Sequence, residues 1–206
     1  MLGLPKATEL RKPLPKSAIY AKFQMNTSEK SKINADISRI TIVNEVSADK
    51  VNIAAGEQVK SFFVLLVVLK KKEFSDKTII TLSKLIPQNM LFVLKFGDEA
   101  KLATYHTKLM QSEWKSTEDL SVDLNGMNLD AVWENIIIQI ADIKVDKGNT
   151  LDEQIVLNEL RMKIQKEIEC LTKHAKSERQ PKKKYEIFNR IKMRKIRLEY
   201  LDDKKN

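Results

Sequence analysis

The chain has one cysteine, Cys170, and two histidines, His106 and His174, among its 206 residues. That scarcity excludes an internal disulfide, and it excludes a zinc site built from clustered Cys and His ligands. Glycine is nearly as rare, at five residues. There is no Walker loop and no glycine-rich phosphate cradle, because both rely on glycines where the backbone must approach a phosphate. No serine stands in a nucleophile-elbow context. The longest unbroken apolar run, Phe62–Leu69, has eight residues, against the roughly twenty that a bilayer-crossing helix requires. The opening MLGLPKATELRKPLP lacks the apolar core of a secretory signal. Together with the lone thiol, this places the protein in a reducing cytoplasm as an expectation. Spacing nominates no catalytic residue, no metal ligand and no cofactor.

Apolar and charged side chains are plentiful. A hydrophobic fraction of 42% beside a charged fraction of 32% describes a folded, charge-rich protein. The length suits one domain with an appendage, or two small domains. The formal charge of +9 is unevenly placed. Residues 143–206 hold eighteen Lys or Arg against eleven Asp or Glu, whereas residues 1–142 hold nineteen against seventeen. The basic character belongs to the tail, and a polyanionic partner is expected there.

Two runs, Phe62–Leu69 and Met90–Phe96, are rich in Val, Leu and Phe and do not alternate with polar residues. They read as strands buried on both faces. Between them Ile79, Ile80, Leu82, Leu85 and Ile86 fit one buried face of a helix over 76–86, stopped by Pro87. Strand, helix, strand predicts a βαβ unit with its strands parallel. Upstream, residues 1–28 carry Pro5, Pro13 and Pro15 and read as an arm with a helical turn at Ala18–Phe23. A helix over 28–38, capped from Asn26–Glu29, then leads to a half-buried strand over 39–46 and a short strand over 50–54. Downstream, Gly97-Asp98-Glu99 predicts a hairpin turn into a strand over 101–110. A last strand over 120–124 and a helix over 129–141, capped by Asn128, close the domain.

Residues 143–150 are polar around Gly148 and read as a linker. Leu157, Leu160, Ile164, Ile168 and Leu171 then repeat at three-four spacing. Pro181 breaks this helix within SERQPKKK, and Ile187, Ile191, Leu198 and Leu201 resume an apolar face. The pattern predicts a coiled-coil-like helical hairpin over 151–206, with Lys182, Lys183 and Lys184 at its turn. The expected fold class is therefore α+β. A mixed β-sheet around the βαβ unit forms a globular domain, residues 1–142, and a basic helical hairpin follows. A hairpin buries its seam on one side only, so homo-oligomerisation through 151–201 is one expected role.

Single residues that can carry chemistry read mostly as packing. Cys170 falls on the seam side beside Leu171 and reads as a small apolar filler. His106 stands in the strand after the hairpin turn, with no paired acid or nucleophile. Trp114 and Trp133 read as packing residues. The order helix, strand, strand, strand, helix, strand matches the αβββαβ core of restriction-endonuclease-like proteins. Active members hold Mg²⁺ with an acid on one strand and Asp/Glu-x-Lys on the next. Lys71 matches the lysine, but Leu69 occupies the position of the acid, and the neighbouring acids Glu57 and Glu73 lie before and after the strand. The alternatives are a diverged metal-dependent nuclease with Glu57, Lys71 and Glu73 as its remnant, or a degenerate core reused for binding; the missing acid favours the second.

The basic hairpin is the stronger lead. From Lys173 to Arg197 there are eleven Lys or Arg against two acids. Lys182, Lys183 and Lys184, with Arg190, Arg194 and Arg197 along one helix side, suit the phosphate backbone of double-stranded DNA and predict sequence-independent, salt-sensitive contact. The same face also suits an acidic protein partner, or plain solvation. A membrane surface is not expected, because the apolar face fits a helical partner and lacks interfacial Trp.

Several blocks carry a resemblance: LGLPKATELRKPLPK, DISRITIVNEVSADKVNIAAGEQVKSFFVLLVVLKKKEF, LIPQNMLFVLKF, LATYHTKLMQSEW, MNLDAVWENIIIQI and ERQPKKKYEIFNRIKMRKIRLEYL. In these the chain resembles a bacterial and archaeal family of domains of unknown function. Members of that family are often encoded beside helicases and DNA methyltransferases in restriction-like or phage-defence operons. The resemblance implies a helicase or DNA methyltransferase subunit as partner and transfers no catalytic residue. The expectation is a non-enzymatic accessory subunit, with nuclease and structural oligomeriser as the alternatives.

Overall fold

The computed structural model describes residues 2–203. After a 3₁₀ turn at Lys6–Thr8 come β1 (Glu9–Leu14), α1 (Lys16–Lys22), α2 (Thr27–Asp36), β2 (Ile37–Ser47) and α3 (Ala48–Val51). The centre is β3 (Ser61–Leu69), α4 (Asp76–Ser83) and β4 (Asn89–Phe96). The chain continues with β5 (Glu99–Tyr105), β6 (Leu109–Gln111), β7 (Lys115–Ser116) and α5 (Leu129–Ala141), then α6 (Leu151–Ser177) and α7 (Pro181–Asp203). It divides into two compact units, Met1–Asp142 and Ile143–Asn206.

The sheet order of the first unit is β1-β2-β3-β4-β5-β6, with β7 paired to β5. Only β3 and β4 are parallel, from Phe62 opposite Asn89 to Val68 opposite Lys95; the mixed α+β architecture is as expected. The unbroken apolar runs have a simple cause. On one face Leu65, Val67, Leu69, Met90, Phe92 and Leu94 pack with Ile19 of α1, Ile33 of α2 and Ile79 and Leu82 of α4. On the other face Phe62 meets Trp133 of α5, ring centroids 5.1 Å apart. With helices on both sides, neither strand has a wet face on which to place polar residues. Trp133 is thus a packing residue, 4% exposed.

Four elements depart from expectation. The arm contains β1, an edge strand paired antiparallel to β2 with a bulge between Glu9 and Lys12. Its side chains are largely exposed, so main-chain pairing forms the strand without any apolar alternation to reveal it. The strand expected over 50–54 is instead the turn α3, ended by Asn52 in the left-handed region at φ 53°; Ala54 makes one isolated bridge to Asn128. The order is therefore α2, β2, β3, α4, β4, one strand short of αβββαβ. The strand expected over 101–110 is two strands, because the backbone turns at His106, whose N–H donates to the Lys108 carbonyl at 3.0 Å. Residues 120–124 form no strand; Ser121 makes a single bridge to Leu2 while Leu120 and Val122 are buried.

In the second unit α6 starts with a capping box between Thr150 and Glu153. Ile164, Ile168 and Ala175 bury against Ile187, Ile191 and Leu201, with Leu157, Leu160, Leu171 and Leu198 partly covered. The helices run antiparallel. An Arg161 Nη2 donates to the Leu201 carbonyl at 2.6 Å, and Arg194 Nε meets Glu167 Oε2 at 2.7 Å. Two details correct the sequence reading. Pro181 begins α7 instead of merely breaking a helix, since its missing N–H costs nothing in a first turn. Lys182, Lys183 and Lys184 are therefore helical and not in the turn. Cys170 is exposed on α6 and fills no gap in the seam. No helix among the described residues is long and apolar enough to cross a membrane.

The two-sided burial of β4 sets a test. Phe92→Ala, at a fully buried ring, is expected to lower the unfolding free energy by about 3–5 kcal/mol in urea titration. Leu10→Ala on β1, at a side chain 40% exposed, is expected to change it by less than about 0.5 kcal/mol.

Candidate functional site

The helix α7 places the basic residues. Lys182, Lys183, Arg190 and Arg197 are exposed, whereas Lys184 and Arg194 are half-buried. Residues seven apart on a helix return to nearly the same angle, so Lys183, Arg190 and Arg197 form a line with steps of about 10 Å. Lys182 and Lys184 diverge from Lys183 by about 100° on either side. Arg194 lies close to the line, but its guanidinium is turned across the hairpin to Glu167 at 2.7 Å. The structure thus aligns three of the six candidates. At the tip of the hairpin, the Gln180 N–H donates to the Glu178 carboxylate at 2.8 Å, and with the Arg179 N–H and nearby Lys183 it holds that carboxyl below its usual range.

The other candidates do not converge. Glu57 precedes β3 and Lys71 follows it, and the strand between them spans roughly 26 Å at the usual rise. Glu73 is exposed just beyond Lys71. Among the described residues, no group of three or more His, Cys, Asp or Glu side chains is placed to hold a metal ion.

Beside Lys71 lies an acid that spacing did not nominate. Asp36, at the end of α2, is 4% exposed, and its Oδ1 is 3.0 Å from Lys71 Nζ. Its Oδ2 accepts from the Ser75 N–H at 3.1 Å and the Thr78 hydroxyl at 3.3 Å, while its carbonyl accepts the Lys70 N–H at 2.8 Å. Burial pushes the Asp36 carboxyl up, but the Ser75 N–H, Lys71 and Thr78 outweigh it and hold the pKa below its ordinary value. Both oxygens are engaged, so the group fastens the start of α4 to the end of β3. The pair borders an open groove of about 1000 Å³ whose walls include Phe23, Met25, Ile33 and Phe74.

A second carboxylate does similar work at the opposite end of β3. Asp130, in the first turn of α5, accepts N–H groups from Glu57 at 2.6 Å, Gln58 at 3.2 Å and Val59 at 2.7 Å. These bonds, that from Val59 foremost, keep its pKa below the ordinary value. Gly56 makes room for it, since a Cβ there would stand 2.2 Å from Asp130 Oδ1. Glu57, a nuclease candidate from sequence, is here a backbone donor to this carboxylate.

Comparison with known proteins adds one match. The model of a family described as Domain of unknown function (DUF4391) matches residues 2–198. No curated protein and no solved structure matches the chain.

The Asp36 cluster predicts a pH signature. A carboxyl depressed in the folded state stabilises the fold above its unfolded pKa of about 3.9, and that contribution fades as pH falls toward the folded value. Asp36→Asn is expected to lower the unfolding free energy by about 1–3 kcal/mol at pH 7, with the deficit shrinking below about pH 4. Lys71→Ala, at a side chain 55% exposed, is expected to lower it by less than about 1 kcal/mol. Urea titrations at pH 7 and pH 3 check both.

Proposed function

The chain belongs to this DUF4391 family of domains of unknown function, and we propose that it is a non-enzymatic accessory subunit of a DNA restriction or phage-defence system. In this reading it docks to a helicase or DNA methyltransferase and contacts duplex DNA through the basic side of α7. The observation that carries the DNA part is the exposed line Lys183–Arg190–Arg197 along the helix α7. Cations fixed at regular steps on one helix side meet phosphates without reading bases, and counterion release supplies the affinity. The alignment matters more than the total charge, because Arg194 is partly neutralised by Glu167. The partner class rests on the operon setting that the sequence resemblance implies. Recruitment by such a subunit needs no base readout, since the methyltransferase or helicase supplies specificity and chemistry.

Fluorescence anisotropy with a duplex oligonucleotide and the full chain tests the contact. The triple variant Lys183→Ala/Arg190→Ala/Arg197→Ala is expected to bind at least about tenfold more weakly, with a log–log salt dependence shallower by about 2–3. Two duplexes of unrelated sequence are expected to bind alike. Equal affinity of wild type and variant overturns the role of α7.

A further inference from the structure

The back of α7 carries a second feature. Tyr185, Phe188, Met193 and Ile196 are 68%, 52%, 66% and 49% exposed. At about 100° per residue they share one arc of about 140°, on the side of the helix opposite the buried Ile187, Ile191 and Leu201. The strip runs for about 16 Å along the axis. Four large apolar side chains together on one exposed helix face mark an interaction surface, whereas single exposed ones are ordinary.

We propose that this strip docks an amphipathic helix from a partner protein, one whose apolar row is bordered by Asp or Glu. The charges around the strip select that occupant. Lys195 follows Phe188 at seven positions and stands about 20° outside the strip at that border, and Lys192 stands within the arc between Phe188 and Tyr185. A second copy of α7 fits badly, because Pro181–Leu201 holds eight Lys or Arg against two acids and like charges would face each other. The phosphate backbone of a duplex offers no apolar surface to set against Tyr185 and Ile196. A helix laid along α7 buries the strip by ridge-in-groove packing and brings its acids to Lys192 and Lys195. The proposal stands apart from the DNA reading, since the line Lys183–Arg190–Arg197 lies on another side of the same helix.

Two labelled synthetic peptides with one leucine heptad seam, flanked by Glu in one and by Lys in the other, test this by anisotropy against the full chain. The Glu peptide is expected to bind, more weakly as salt rises, and the Lys peptide is not. Phe188→Ser/Ile196→Ser and Lys192→Glu/Lys195→Glu are each expected to weaken binding at least about tenfold with unchanged melting temperature. Lys183→Ala/Arg190→Ala/Arg197→Ala is expected to keep it within about twofold, whatever that variant does to DNA binding. Absence of binding by the Glu peptide, or equal binding of both peptides, overturns the proposal. So does a concentration-dependent dimer lost in Ile196→Ser, or oligo-dT binding that requires Tyr185 and Phe188.

Discussion

The strand β3 has to be dry on both faces, and the first unit is organised to satisfy that demand. Helices α1, α2 and α4 cover one side and α5 the other, as the packing of Leu65 and of Phe62 shows. A strand enclosed in this way still has ends where the chain enters and leaves, and the loops there expose N–H groups that need partners. Two aspartates supply them. Asp130 collects the donors of Glu57, Gln58 and Val59 at the start of β3, and Asp36 joins Lys71, Ser75 and Thr78 at its end. Each carboxylate reaches from a helix to a loop distant in sequence, so the same bonds also hold the covering helices at their stations.

The elements with apolar periodicity are legible in the sequence itself. The runs around β3 and β4, the stripe of α5 and the capping residues Asn26 and Asn128 all stand where pattern and cap chemistry put them. The edge strand β1 escaped because its residues face water and leave no pattern. The stretch after β2 reads as a strand because Val51 and Ile53 look strand-like, while Asn52 adopts a left-handed conformation that turns the chain. Asp36 and Asp130 were out of reach for another reason. Their partners lie about forty and seventy residues away, and a single Asp in a polar context carries no local mark. Helical spacing did indicate the line of Arg190 and Arg197, but not that Arg194 would be drawn to Glu167 on the neighbouring helix.

The nuclease-like order of elements misleads for a related reason. A lysine at the end of a central strand carries weight only if acids converge on it. Here Glu57 is a full strand length away, and the acid that does reach Lys71 has both oxygens committed to holding α4. The cations on α7 have a simpler setting, with Lys183, Arg190 and Arg197 exposed to solvent.

At its two margins the sheet is blunt. On one side β1 is short, bulged and interrupted by Pro13; on the other β6 and β7 have three and two residues. Neither margin offers a run of main-chain donors and acceptors that another chain can extend. Strand addition at either margin is thereby disfavoured, which leaves side-chain surfaces as the places where this unit can make contacts. Its associations can then be retuned by single surface substitutions that leave the hydrogen-bonded framework untouched.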